Sequence, residues 1–568
     1  MHSQTSIQIP LEPTFTHTAV GEQLMPHQKE VIGLMCVKRV GGIFHEQGTG
    51  KTITGILLAL SAIQSMEVKK PVLIIVPPSL RVNWRIELKK WASHLTVTEI
   101  NNKKPLDLAP HINTAQGQQV SLGTVKNTSM SYQGIPDTDI ILATDGCLVG
   151  YQSWLTGGWK QFSWDEDYFD AQGNLVMVPR CFRYFGRGVG AVIVDECQRV
   201  SNGRAGRSGA FGAICAGLPS DTPKFLLSGT PLTKHRVQLS HLMQALDVFD
   251  CHKNPAGAKT ERMDKADWLN HFAPVVQNRF GARGVDNTEQ LHAEMFSKDS
   301  GWAHRVLRDD VLDLPNLGRA VFHAEMDGEY LVKYLKAERD LSSWLTEKFR
   351  GDYARVERSM KVEALSRLRE LRALAGRAKV KAVLAEVELL LSQGEQVLVS
   401  CTTNWTRETI QQALVAKKWS VVGIHGSMTS EQKQVSVETF QKGGWLEGGE
   451  VNPDGAQVAV VNALSGGVGF TMTSGRHHLS AEIPWSSSDL VQLESRLMRL
   501  GQTRDTLSTV MVAVKKDGSE TIDGRLYRLC EAKYSELRQV LDGVNPDSMV
   551  EDSDASILQS LIKELLGG

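Results

Sequence analysis

Two strings far apart in the chain pair a phosphate-binding turn with adjacent carboxylates. His45-Glu46-Gln47-Gly48-Thr49-Gly50-Lys51-Thr52 follows a short strand-like run at residues 41–44 and opens an apolar helical stretch. A glycine-rich turn at a helix start aims backbone N–H groups at an anion, and the helix dipole favours negative charge there. Gly48, Thr49 and Gly50 would form the cradle, Lys51 would reach the β- and γ-phosphates, and the Thr52 hydroxyl would bind Mg²⁺. Position 45 is His where the eight-residue fingerprint has Gly, so the shorter Gly-x-Gly-Lys-Thr core carries the reading. Taken alone, such a string also fits a glycine-rich helix start that binds no nucleotide.

Downstream, the apolar Ala191-Val192-Ile193-Val194 delivers Asp195-Glu196 to the end of a strand. Asp195 would complete the Mg²⁺ shell, and Glu196 would polarise water for in-line hydrolysis. By itself an acidic pair capping a strand is an ordinary solvated turn; the phosphate loop upstream gives it chemical meaning. Arg496 and Arg499 lie three apart in the segment from Gln492 to Gln502, and a helix there would put both on one face. Two guanidinium groups so placed could stabilise a transferring γ-phosphoryl group or form a solvated basic face.

The elements that must position these groups occur in two series. From residue 22 to about 232, strand-like runs at 71–76, 139–142 and 189–194 alternate with helix-like stretches such as 79–91. From residue 379 the pattern repeats: helix 380–391, strand 396–401, helix 407–416, strand 420–424, helix 430–440 and strand 457–462. Such alternation predicts α/β architecture, two parallel sheets flanked by helices. The expected organisation is an N-terminal extension at 1–20, a first lobe at 21–235, helical protrusions and a connection at 236–377, a second lobe at 378–541 and an acidic linker with a final helix at 542–568.

Residues 151–187 interrupt the first lobe with Trp154, Trp159, Phe162, Trp164, Tyr168 and further rings, and with Arg180, Arg183 and Arg187. They could stack on bases or form the insertion's own small core. Arg367, Arg369, Arg372, Arg377, Lys379 and Lys381 could follow a phosphate backbone or make a solvated helix face.

At 568 residues and 41% apolar composition the chain is long enough for two to four domains with their own cores, which excludes global disorder. The run at 53–63 is too short to span a bilayer, and residues 1–20 lack a signal pattern, so a cytoplasmic protein without membrane contact is expected. The eight cysteines contain no Cys-x-x-Cys pair and suggest neither a zinc site nor a disulfide framework. A net charge of −1 argues against coating nucleic acid by bulk electrostatics but leaves a local basic stripe open.

In this order the motifs resemble the superfamily 2 helicase-like ATPases, and among them the SWI/SNF-related translocases with two RecA-like lobes, over about residues 24–541. In Leu24-Met-Pro-His27-Gln28, the Gln28 position is similar to the family's adenine-reading glutamine. Residues 75–80 with Trp84, and Leu142-Ala143-Thr144-Asp145, resemble motifs that contact the strand, which implies roles for Pro78, Ser79 and Asp145. Leu227-Ser228-Gly229-Thr230-Pro231-Leu232 resembles the coupling motif, implying that Ser228 and Thr230, with Gln198 and Gln492, link the ATP site to the track. In the second lobe, resemblance implies nucleic-acid contacts at Thr402, Gly426, Ser465 and Trp485, and an ATP contact at Gly469. Cys197-Gln198 stands where the family has Ala or Gly followed by His; Ser465 replaces Ala and Ser486 replaces Asn. Gln198 can hydrogen-bond as His would but cannot become charged, so coupling could be altered without loss of hydrolysis.

The motif spacing is also close to that of the annealing-helicase (HARP-like) subgroup, whose members remodel branched DNA. The resemblance implies an ATP- and Mg²⁺-dependent motor on duplex or branched DNA, with RNA the lesser candidate. ATP is expected between Gln28 and Lys51 on one side and Arg496 and Arg499 on the other. A strand-separating helicase and a non-hydrolysing ATP-binding scaffold are the competing readings. The compact core without reader modules suggests a bacterial or phage setting.

Overall fold

The structure, a computed structural model, describes residues 24–66, 70–100, 111–113, 119–121, 138–148, 189–203, 205–216, 218–233, 236–249, 265–273, 287–298, 301–349, 358–463 and 470–543. The extension at 1–20, the insertion at 151–187, Ser465, Gly469 and nearly all of 542–568 lie outside the described residues. The chain forms two compact units, one built mainly from the residues up to 311 and the other mainly from those after it.

The first unit holds a seven-stranded parallel sheet in the order β3-β6-β2-β7-β8-β1-β9. These are β1 (Val40–Ile43), β2 (Val72–Val76), β3 (Val97–Ile100), β6 (Ile140–Thr144), β7 (Ala191–Asp195), β8 (Lys224–Leu227) and β9 (Ala303–His304). A short antiparallel pair, β4 (His111–Asn113) and β5 (Gln119–Ser121), stands apart. Every residue of β2, β6 and β7 is buried, which is why these strands read as unbroken apolar runs rather than as alternations. Burying each Val, Leu or Ile there contributes roughly 1.5–3 kcal/mol, and a charge substituted at Ile74 would have no partner. Helices α1 (Pro26–Lys38), α2 (Lys51–Gln64), α3 (Arg81–Trp91), α4 (Gly206–Ala216) and α5 (Val237–Leu246) complete the described scaffold.

The second unit carries a six-stranded parallel sheet in the order β10-β15-β14-β11-β13-β12. Its strands are β10 (Leu317–Glu325), β11 (Val397–Cys401), β12 (Val421–Ile424), β13 (Val458–Asn462), β14 (His477–Ser480) and β15 (Thr506–Val514). Its helices include α6 (Gly328–Phe349), α7 (Arg358–Ala378), α8 (Val380–Ser392), α9 (Asn404–Ala416), α10 (Ser430–Gln441), α11 (Ser487–Glu494) and α12 (Ile522–Asp542). One core joins α8 and α9 to β11 and β13, and another packs Phe440, Phe470, Leu493 and Leu497 against Leu398 and Ala459. A third joins Leu341, Leu345, Leu368 and Leu371 of the α6–α7 pair to Leu526 and Cys530 of α12.

Two α/β units, each with a parallel sheet, therefore stand where two were expected, but the segment 236–377 is not one body. Residues 236–271 and 293–311 belong to the first unit, whereas 272–292 and 312 onward belong to the second. The reason is hydrogen bonding: β9 extends the first sheet beside β1, and β10 extends the second beside β15. Of the described cysteines, Cys36 is half-buried and the other five are buried thiols. Among the described residues no helix is long and apolar enough to cross a membrane.

The six cations at 367–381 also fail to make one face. Lys379 is fully buried, bonded to Asp523 and the Met511 carbonyl, and Arg372 is buried over the Trp485 ring. Arg367 pairs with Glu363, and Lys381 with Asp327. The helix α7 packs Leu368, Leu371 and Leu374 inward, so its cations distribute around the apolar stripe rather than gathering opposite it.

Candidate nucleotide site

In a parallel sheet the strand C-termini share one edge, and that edge is where ligand-binding loops gather. In the first unit β1 leads to the loop 44–50, β2 to Pro78 and Ser79, β6 to Asp145, β7 to Asp195-Glu196 and β8 to Ser228. Among the described residues of this unit, the sequence-predicted site residues other than Gln28 therefore fall on one edge or in the helices that leave it.

Within the loop, Gly48 (φ 89°) and Gly50 (φ 83°) have left-handed backbone, which favours glycine. A Cβ on Gly50 would lie 2.1 Å from Gln28 Nε2. His45 has no such backbone, so glycine is not required there. Its ring packs against that of His304, whose Nδ1 lies 2.9 Å from its Nε2. Burial first, then His304 and Lys51, lower its pKa to about 2, so the imidazole is neutral.

Gln28 and His27 are buried and hold the loop from α1: Gln28 Nε2 donates to the Thr49 carbonyl at 3.2 Å, and His27 Nε2 lies 3.0 Å from the same oxygen. Gln28 Oε1 accepts from Met25 N at 3.0 Å. The Lys51 ammonium donates to the His45 and Glu46 carbonyls at 2.9 and 2.8 Å, and Thr52 is half-buried in the first turn of α2. Arg305 was not foreseen: its Nη1 donates to the Phe44 carbonyl at 2.6 Å and the Gly229 carbonyl at 3.1 Å, tying the phosphate loop to the segment after β8. Nothing local in the sequence could mark it, since its partners are far away in the chain.

Asp195 and Glu196 are both buried. Trp84 Nε1 donates to Asp195 Oδ2 at 2.7 Å, and the Glu196 amide donates to Asp195 Oδ1 at 2.9 Å. Burial first, then the neighbouring Glu196, raise the Asp195 carboxyl above the usual carboxylate range, with Lys51 acting in the opposite direction. Two buried carboxylates with one ammonium close by leave negative charge that a divalent cation would offset. The hard oxygen donors of Asp195 and Thr52 suit Mg²⁺.

Gln198 connects this box to the motif after β8. Its Nε2 donates to Glu196 Oε2 at 2.5 Å, and Ser228 Oγ donates to its Oε1 at 2.6 Å. Thr230 N in turn donates to Ser228 Oγ at 3.0 Å. Asp145 is buried and accepts from Arg199 Nε at 2.7 Å and Arg207 Nη1 at 2.9 Å. Pro78 is exposed and Ser79 half-buried.

In the second unit Arg496 and Arg499 do not lie on a helix. The helix α11 ends at Glu494, and residues 495–500 run as turns, with Arg496 N bonded to Leu493 O at 3.0 Å and Leu497 N to Glu494 O at 3.1 Å. The Ser495 hydroxyl takes the Gln492 carbonyl, Arg319 clamps Glu494 through both carboxylate oxygens, and Gln502 Nε2 gathers the carbonyls of Leu497, Thr473 and Gly475. The bonds to the Gln492 and Leu497 carbonyls occupy acceptors that a continuing helix would use. Arg496 is buried, with Nη1 3.5 Å from the Phe470 carbonyl, and half-buried Arg499 donates to Ser495 O and Thr471 Oγ1. Gln492 is buried in α11.

Of the described track residues expected in this unit, Thr402 and Gly426 lie just beyond β11 and β12. Thr402 follows β11 and donates its hydroxyl to the buried Glu482, which also accepts from the amides of Thr402 and Thr403 and from the Thr406 hydroxyl. Arg372 Nη2 donates to Thr402 Oγ1 at 2.9 Å while its guanidinium stacks 4.9 Å above half-buried Trp485. Gly426 is exposed beyond β12.

Residues 27–254 match the SNF2-related domain, and residues 378–501 match the helicase conserved C-terminal domain. The chain belongs to the SNF2-related helicase-like proteins. It is 23% identical to the bovine DNA annealing helicase and endonuclease ZRANB3, covering 94% of this chain and 42% of that protein. A Caenorhabditis elegans homologue of SWI/SNF-related matrix-associated actin-dependent regulator of chromatin subfamily A-like protein 1 is 24% identical over 91% of this chain and 62% of its own length. Among solved structures, the Sulfolobus solfataricus SWI2/SNF2 ATPase core in complex with dsDNA aligns over 96% of both chains, with 18% identity and a TM-score of 0.34. The SNF2-related chain thus spans less than half of the bovine relative and less than two thirds of the nematode one.

Proposed function

We propose that this chain is an ATP-driven DNA translocase that moves along duplex or branched DNA and remodels it or displaces bound protein. The observation that carries the reading is the run of bonds, within the first unit, from the acidic box through Glu196, Gln198, Ser228 and Thr230 to the motif after β8, which Arg305 ties to the phosphate loop. The relatives' names, which include annealing of DNA, favour DNA as the track.

On this reading Lys51 and the amides of Gly48, Thr49 and Gly50 bind the phosphates, and Gln28 braces the loop. Thr52 and Asp195 would hold Mg²⁺, which supplies charge neutralisation on the phosphates. Glu196, aimed by Gln198, orients and deprotonates the attacking water. Arg496 and Arg499 would stabilise charge on the γ-phosphoryl group, Gly469 would contact the nucleotide, and Gln492 would link site to track. Pro78, Ser79, Thr402, Gly426, Ser465 and Trp485 would contact the DNA backbone rather than base edges, so movement would have little sequence preference. Asp145 acts through Arg199 and Arg207, since a carboxylate would repel phosphate and those guanidinium groups would not. The setting is the cytoplasm of a bacterial or phage-infected cell.

ATP hydrolysis measured without nucleic acid and with duplex, single-stranded, forked and RNA ligands tests this. Stimulation by duplex or forked DNA, lost in Glu196→Gln while ATP binding persists, is the expected result. Stimulation by single strands or RNA alone would favour a strand-separating helicase. Equal activity without nucleic acid would overturn the translocase, and ATP binding without turnover would favour a scaffold.

A further inference from the structure

We propose that Trp84 is a positioning residue for the acidic box: its indole N–H holds the Asp195 carboxylate in the orientation that takes Mg²⁺. The proposal rests on the ATP-hydrolysing reading above. Trp84 is completely buried, and its Nε1 donates to Asp195 Oδ2 at 2.7 Å. The other carboxylate oxygen accepts from the Glu196 amide at 2.9 Å. With one donor on each oxygen the carboxylate cannot rotate freely, and each oxygen keeps a further lone pair for a cation.

The ring reaches this place because α2 has a glycine where it passes. A Cβ on Gly55 would lie 2.9 Å from Trp84 Cη2 and 2.9 Å from Leu227 Cδ1, with Ile193 Cγ2 at 3.6 Å. A mid-helix glycine weakens a helix relative to alanine, so the slot is maintained against local preference. Three elements meet at the indole: α2, which starts at Lys51 and Thr52; β7, which ends at Asp195; and α3, which begins just after Pro78 and Ser79. Apolar filling alone would be served by phenylalanine. The indole adds a single donor, and that donor is aimed at the proposed Mg²⁺ ligand. Partners that orient a metal ligand commonly change metal affinity by about ten- to a hundredfold when removed.

Two replacements separate the hydrogen bond from the packing. Trp84→Phe removes the donor and part of the ring, whereas 3-benzothienylalanine at position 84 keeps the bicyclic shape and puts sulfur in place of N–H. Both are compared with the parent for binding of a fluorescent ATP analogue across a Mg²⁺ titration, with EDTA as the metal-free reference, and for thermal unfolding. The expected result is a rise of about tenfold or more in the Mg²⁺ concentration needed for half-maximal effect in both variants. Metal-free nucleotide affinity stays at the parent value in the isostere. An unchanged Mg²⁺ requirement in the folded isostere overturns the proposal, even if Trp84→Phe is impaired, because Trp84 then acts by packing alone. A parent that binds no nucleotide, or binds it without turnover, overturns the ATPase reading instead.

Discussion

Replacing Gln198 by alanine would cut the Glu196-to-Ser228 connection at its middle. The Gln198 amide donates to Glu196 Oε2 at 2.5 Å and accepts from Ser228 Oγ at 2.6 Å, while the Glu196 backbone sits in the left-handed region at φ 53°. Gln198→Ala deletes both bonds and leaves the Glu196 carboxylate without its side-chain tether. A hydrogen bond to a charged group contributes about 1.5–3 kcal/mol. Expressed in the transition state, that loss slows turnover by about ten- to a hundredfold. The KM for ATP should stay within about twofold, because Gln28, His27 and Arg305 hold the loop through its own carbonyls. Phosphate release under steady-state conditions gives kcat and KM, a fluorescent nucleotide gives affinity, and urea unfolding checks that the variant is folded. Gln198→His retains a donor and an acceptor and should hydrolyse faster than Gln198→Ala. Turnover at the parent rate in folded Gln198→Ala would refute the view that this amide orients the catalytic carboxylate.

Two further outcomes follow from the geometry. Gly50→Ala places a Cβ 2.1 Å from Gln28 Nε2 at a residue with φ 83°; weaker nucleotide binding and a loss of about 1–2 kcal/mol of stability are expected, and an unaltered affinity would count against the loop's conformation. His478 is buried between Ser400 Oγ and Ser508 Oγ, each 2.9 Å from a ring nitrogen, and desolvation lowers its pKa from 6.5 to about 4. The folded state then binds fewer protons than the unfolded one, so stability is full above about pH 6.5 and falls as pH drops toward 4, by about 3 kcal/mol. Urea midpoints at pH 7.5 and 5 in the parent and in His478→Gln measure it, and an equal acid shift in both would assign the loss to other groups.

What could be read from the sequence was whatever local spacing dictates. Strands β2, β7, β11 and β13 are short, mainly apolar runs because parallel strands are covered on both faces, and the phosphate loop has a fixed length because helix, turn and strand must meet. That the helix ends at Glu494, short of Arg496 and Arg499, was not legible, because groups bonded along that segment lie outside the motif: Arg319 on β10 and the carbonyls at 473 and 475. The two-residue strand β9 has no periodicity to detect, yet it completes the support of the phosphate loop. Glu46 N donates to the Val306 carbonyl and Glu46 Oε2 accepts from Arg308 N, alongside the Arg305 and His304 contacts. His45 shows how the two scales interact. Against a linear fingerprint it is a defect, but its backbone never enters the region that needs glycine, and its side chain has a partner in His304 across most of the first unit's sequence. Glycines in such a loop are interchangeable with other residues only where φ is negative and a tertiary partner receives the side chain. Gly50 fails both tests, which is why substitutions at these two positions of one motif should differ in consequence.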